Sequence, residues 1–317
     1  MKNIFDEVNL GDLKLKNRLI RSATWLGACD YDGNLTEPVY KTYRELASGG
    51  IGTIVTGITT ISPHDALIDG IAQFYDDKFI PQHKILTEEV HKFGAKIFLQ
   101  AAIVDSVFYI GEELYRVPIN QLTDENIAEV VKLFADSAIR AKKSGYDGLQ
   151  IHAAHGFFLS QYIQRDEKIL GDILEAIHEV DKDFCVIAKI NGENCIEACK
   201  IMAAHDVKAI EISGNYTSRD ATPFSNEAYF KNFALAVKNR VDVPIILVGG
   251  HRSVEMMDKL LNETEIEYLS LSRPLIREPN LINRWKSGDL RPSACISCNS
   301  CYRTPNHTCI FNLRRKN

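Results

Sequence analysis

The sequence predicts an α/β chain of the (β/α)8 TIM-barrel class with a short C-terminal cysteine-rich extension. Three observations predict it. Short runs rich in β-branched residues recur eight times, each followed by a longer stretch with helical periodicity. Most of the runs are continuously apolar rather than alternating, as parallel strands covered on both faces require. No Gly/Pro/Ser-rich linker or low-complexity stretch divides the 317 residues. An open doubly wound sheet is the competing architecture. The barrel is assigned residues 1–290 and the extension residues 291–317.

In chain order the expected strands cover residues 18–22, 52–57, 96–101, 148–152, 185–190, 209–213, 244–248 and 267–271. The expected helices cover residues 39–48, 85–93, 123–143, 169–180, 196–204, 227–239 and 253–261. The helix at 123–143 is the clearest, with Ile127, Val130, Val131, Phe134 and Ala138 on one apolar face. Thr123 fits its N-cap and Gly145 its stop.

Composition narrows the function classes. With 45% hydrophobic and 25% charged residues, the chain is globular rather than disordered. Its 37 Lys and Arg against 42 Asp and Glu leave a formal charge of -5, which favours neither nucleic acid nor an anionic membrane as partner. No apolar run approaches the roughly 18 residues of a membrane span. The N-terminus lacks the apolar stretch of a secretory signal, so the expectation is a cytoplasmic protein with reduced thiols. A homo-oligomer is compatible with all of this. Of eight cysteines, Cys295, Cys298, Cys301 and Cys309 crowd into the last 23 residues.

Barrel chemistry sits at the C-terminal ends of the strands. Those ends hold Ala23, Thr24, Trp25, Gly57, Gln100, His152, His155, Lys189, Gly249, Gly250, Ser272 and Arg273. Gly249 and Gly250 open a helix after the seventh strand, where free N–H groups suit a phosphate, and Arg273 adds a bidentate donor. The plain alternative is a tight turn and a surface arginine. His152 and His155 can present two imidazoles to a carbonyl or phenolate oxygen; metal ligation and a structural role are the alternatives. Lys189 either stabilises negative charge in the mouth or snorkels to its rim. Gln100 can both donate and accept. In the tail, Cys-x-x-Cys-x-x-Cys followed by Cys309 suits an iron–sulfur cluster, with zinc the main competitor.

The segments Phe5-Asp6-Glu7-Val8-Asn9-Leu10-Gly11 and Leu15-Lys16-Asn17-Arg18-Leu19-Ile20-Arg21-Ser22-Ala23-Thr24 resemble the opening of the Old Yellow Enzyme family of FMN-dependent oxidoreductases. Ile151-His152-Ala153-Ala154-His155-Gly156, Gly249-Gly250 and Leu271-Ser272-Arg273-Pro274 continue the resemblance in family order. The terminal cysteines resemble its cluster-bearing branch, which includes 2,4-dienoyl-CoA reductase. The resemblance implies non-covalent FMN, with its phosphate on Gly249, Gly250, Ser272 and Arg273. It implies Gln100 at the pyrimidine edge, Ala23, Thr24, Trp25 and Gly57 near N5, and Lys189 near N1. His152 and His155 would bind the substrate carbonyl, and NADH or NADPH would be the reductant of an enone- or enoyl-type alkene. Cys295, Cys298, Cys301 and Cys309 would hold a [4Fe–4S] cluster. The larger relatives append a dinucleotide-binding region after the barrel; this chain stops at Asn317, which implies direct NAD(P)H access or a separate electron-transfer protein.

The sequence departs from the family pattern in three ways. Phe157 stands where many members carry a proton-donating tyrosine, leaving Tyr162, Tyr216 or water for that role. Trp25 replaces the usual Thr or Cys, and several loops at the catalytic face are short. These departures motivate the alternative of a flavin- or ligand-binding barrel with weak or no turnover.

Overall fold

The apolar runs form eight parallel strands: β1 (Leu19–Arg21), β2 (Thr53–Val55), β3 (Lys96–Ala102), β4 (Gly148–Ala153), β5 (Cys185–Asn191), β6 (Ala209–Ser213), β7 (Ile245–Val248) and β8 (Tyr268–Leu271). The structure, a computed structural model, describes residues 1–65, 69–215 and 226–313. Each strand pairs with its sequence neighbours, and β8 returns to β1 with Leu269 opposite Leu19. The sheet is therefore a closed barrel, as the sequence predicts.

The α-helices of six or more residues among those described are α1 (Glu37–Ser48), α2 (Ile80–His91), α3 (Asp124–Lys143), α4 (Ile169–Val180), α5 (Ile196–Ala204), α6 (Lys231–Lys238), α7 (Val254–Glu263) and α8 (Leu281–Lys286). Thr123 caps α3 through a reciprocal pair with Asn126. Two helices begin earlier than their periodicity suggests. Pro38 and Pro81 sit in their first turns, where a missing N–H breaks no helical bond. α6 is shorter than expected because Asn226 and Ala228 take positive φ and interrupt it. Among the described residues no helix is long and apolar enough to cross a membrane.

Alternation along the strands divides two cores. Outward residues such as Ile97, Leu99 and Ala101 join the helices. Inward residues Ile20, Val55, Phe98, Cys185, Ile187, Ala209, Ile246 and Tyr268 fill the lower barrel, plugged by Leu10 and Leu15 of the N-terminal hairpin. Above them the inward positions turn polar: Ser22, Gln100, Gln150, Lys189, Glu211 and Ser270 are all buried. Expecting apolar strands with polar ends alone therefore misses an interior polar layer.

Burial also makes the fold sensitive to acid. His83 shares a 2.7 Å hydrogen bond with the Tyr146 hydroxyl, and burial pushes its pKa down to about 3. An unfolded histidine binds its proton near 6.5, so acid favours the unfolded chain between those values. Stability is then full above pH 6.5 and falls as pH drops, by about 2 kcal/mol from His83 alone at pH 5. Urea denaturation at pH 5 and pH 7.5 should show this loss, and His83→Gln should reduce the difference.

Candidate active site

The polar layer is one connected network. Lys189 and Glu211 lie opposite each other in the β5–β6 register, with Nζ 3.3 Å from Oε1. Lys189 also donates to the Ser22 hydroxyl at 2.8 Å. Glu211 accepts from Ser22 and Ser270 at 2.7 Å each and from Gln150 at 2.9 Å. Gln150 in turn accepts from Gln100 Nε2 at 2.8 Å. Burial alone would raise the Glu211 carboxyl, but the Lys189 charge and these hydrogen bonds outweigh it and hold its pKa below the usual range. The carboxylate is the anionic partner that a buried lysine needs.

Over this floor stands the histidine pair, with ring centroids 5.2 Å apart. His155 occupies the left-handed region at φ 63, followed by Gly156 at φ 79, a strained turn that lifts the imidazole over the β4 end. Its Nε2 lies 3.0 Å from the Ser213 hydroxyl. Burial, with the Lys189 charge adding to it, pushes the His155 pKa down to about 4. Burial depresses His152 further, aided by His155 and Lys189. Both rings are neutral at pH 7 and each can donate one N–H. His152 Nδ1 is buried with no hydrogen-bond partner, and Phe157 covers its ring at 5.1 Å.

A cleft opens at this face, walled by the ends of β5, β7 and β8 and by the segments that follow them. Of the residues expected from sequence, Ala23, His155, Lys189, Gly249, Gly250, Ser272 and Arg273 line it together. Gly250 has φ 81, and a Cβ there would meet the Asn226 carbonyl oxygen at 2.8 Å; Gly249 has φ 125. The remaining residues lie elsewhere. Thr24 bonds the Ser272 hydroxyl at 2.8 Å, and Trp25 and Gly57 line a neighbouring, mostly apolar cavity. Gln100 and His152 are buried and do not line the cleft, while Tyr216 falls outside the described residues.

Sequence reasoning missed Glu211, Gln150 and Tyr302. Glu211 carried a usable signal: a carboxylate between Ile210 and Ile212 poses the same burial problem that singled out Lys189. Tyr302 reaches the cleft from the tail.

The tail is fastened on both sides of this mouth. Arg252, fully buried, donates to the Cys295 carbonyl at 3.2 Å and to Ser297 Oγ. Arg273 donates to Asn299 Oδ1 at 2.5 Å. His307 shares a 2.9 Å hydrogen bond with the Trp25 carbonyl and packs edge-on against its ring. Cys295, Cys298, Cys301 and Cys309 line one cavity with Ile276, Ile296, Ile310 and Phe311. Among the described residues no three Cys, His, Asp or Glu converge as a single-ion site.

Fold and site together define a (β/α)8 barrel with a cationic, hydrogen-bonding cleft at its catalytic face. The NADH:flavin oxidoreductase / NADH oxidase family profile matches residues 3–168 and 184–291, and the chain belongs to that family. The metal reductase of Desulforamulus reducens is 28% identical over 346 residues, covering 94% of this chain and 51% of that protein. The cinnamate reductase of Clostridium sporogenes is 28% identical over 370 residues, covering 94% of this chain and 55% of that one. The chain spans about half the length of these curated relatives. The solved 2-naphthoyl-CoA reductase complex superimposes with a TM-score of 0.82 at 20% identity, over 94% of this chain and 54% of that one, a likeness of fold. FMN is the family's cofactor, with NAD(P)H as reductant.

Proposed function

We propose that this chain is an FMN-dependent NAD(P)H oxidoreductase that reduces an activated alkene of the enone or enoyl type. The observation that carries the reading is the neutral His155 imidazole on the lining of a cleft floored by Lys189, with His152 packed beside it. The cleft residues fit FMN. Gly249 and Gly250 line the cleft at positive φ, and Ser272 and Arg273 beside them supply donors for the phosphate. Bound FMN supplies the two-electron carrier between nicotinamide and substrate. Lys189 holds positive charge at the floor. His155, on the cleft lining, would donate an N–H to the carbonyl oxygen and stabilise the negative charge that develops there, with His152 packed beside it as the second imidazole of the pair. Neutral imidazoles so engaged keep their protons, and Phe157 has none to give. Tyr162 packs on Phe158 away from the cleft lining. The proton for the α-carbon is then left to solvent or to Tyr216.

The tail is proposed to hold a [4Fe–4S] cluster on Cys295, Cys298, Cys301 and Cys309. Four cysteines lining one apolar cavity supply the four thiolates that such a cluster takes. A separate one-electron carrier protein is the proposed partner. Residues 273–317 hold nine of the 37 Lys and Arg but two of the 42 Asp and Glu, a charge bias suited to an acidic carrier.

Anaerobic protein is expected to carry about four irons per chain. Its flavin should be bleached by NADH or NADPH and recoloured by an enone in stopped-flow. Phe157 favours a second reading, flavin binding without turnover; bleaching by no donor and recolouring by no enone would establish it. Zinc without iron would refute the cluster.

A further inference from the structure

Lys189 is half of a buried pair, and its partner has no place in the proposed function so far. Glu211 is fully buried and does not line the cleft, while Lys189, its register partner, does. We infer that Glu211 sets the reduction potential of the bound flavin, by sharing the Lys189 charge that would otherwise act on the flavin alone. The inference rests on reading the cleft as the FMN site.

A lone ammonium presents a full positive charge to whatever lies above it. With a carboxylate oxygen 3.3 Å away, Lys189 presents a dipole whose field falls off faster. Ser22 tightens the pairing, accepting from Lys189 at 2.8 Å and donating to Glu211 at 2.7 Å. A ring that gains negative charge on reduction is stabilised less by such a pair than by an isolated lysine. Glu211 therefore lowers the potential.

The same carboxylate fixes the amides beside it. An ionised carboxylate only accepts, so Gln150 must turn its NH2 toward Glu211. That leaves the Gln150 oxygen facing Gln100, which must offer its own NH2. The Gln100 oxygen is thereby kept as an acceptor, and one buried charge orients two side chains on two further strands. A merely structural ion pair would hold the barrel together without moving a redox potential.

The test is the midpoint potential of bound flavin, measured by anaerobic spectroelectrochemistry on wild type, Glu211→Gln, Lys189→Met and the double variant. Glu211→Gln should raise the reduced-to-oxidised ratio at a fixed potential at least tenfold, about 30 mV for two electrons. In the Lys189→Met background the same change should move the potential far less. An unmoved potential in flavin-loaded Glu211→Gln, or an equal shift without Lys189, overturns the inference alone. Should Glu211→Gln not fold, Glu211→Asp draws the carboxylate back by one methylene; it should raise the potential by a smaller amount, and no shift overturns the inference. Wild-type protein that takes up no flavin overturns the reading of the cleft and the inference with it.

Discussion

Replacing His155 with alanine should slow the delivery of reducing equivalents to an enone by about 10²–10³-fold, the usual cost of removing one donor from an oxyanion site. Flavin reduction by NAD(P)H should stay within about threefold of wild type, because the pair acts on substrate oxygen and not on the nicotinamide. The two half-reactions, followed separately by stopped-flow absorbance, give both rates from one preparation. His155→Asn is the companion variant, since asparagine tolerates the left-handed backbone at φ 63 and retains an N–H donor. It should lose less than His155→Ala. Equal slowing of both half-reactions would mean that the histidines shape the cleft as a whole rather than binding substrate. Because burial holds both rings neutral, with His155 titrating near 4, the wild-type enone rate should show no imidazole titration between pH 6 and pH 8.

Gly250→Ala should weaken FMN binding by about a hundredfold, roughly 2.7 kcal/mol. Two costs act together. An L-residue in the left-handed region costs roughly 1–2 kcal/mol. The added Cβ would also stand 2.8 Å from the Asn226 carbonyl oxygen and 2.9 Å from the Tyr229 ring, so the turn must shift where the phosphate would rest. Riboflavin, which lacks the phosphate, should lose far less affinity. Fluorescence titration of the apoprotein with both flavins measures the difference. Equal losses for the two ligands would place the phosphate elsewhere.

Most of the barrel was legible because each strand is an apolar run and each helix an amphipathic one. The eight expected strands differ from the observed ones by at most two residues at an end. Helix starts were harder to read: Pro38 and Pro81 resemble breakers until their first-turn positions are known. The hairpin Val107–Ile110 with Glu113–Arg116 went unpredicted, because its exposed Tyr109, Ile110 and Tyr115 follow no buried pattern. At the site, glycines, arginine and histidines could be found by their place after each strand. Glu211 and Gln150 could not be found that way, since they lie within strands and their importance comes from standing beside Lys189 and Gln100 on the neighbouring strands. His152 and Gln100 carried the opposite difficulty: their positions were readable, but not that both would be buried beneath the cleft rather than lining it.

The central claim is that the cleft between the Gly249-Gly250 turn and Lys189 holds FMN. The most direct test is to denature the purified protein and identify and quantify the flavin released, repeating the measurement after incubation with excess FMN. A single FMN per chain is expected, with far less in Gly250→Ala. Protein that releases no flavin as purified and retains none after incubation would contradict it.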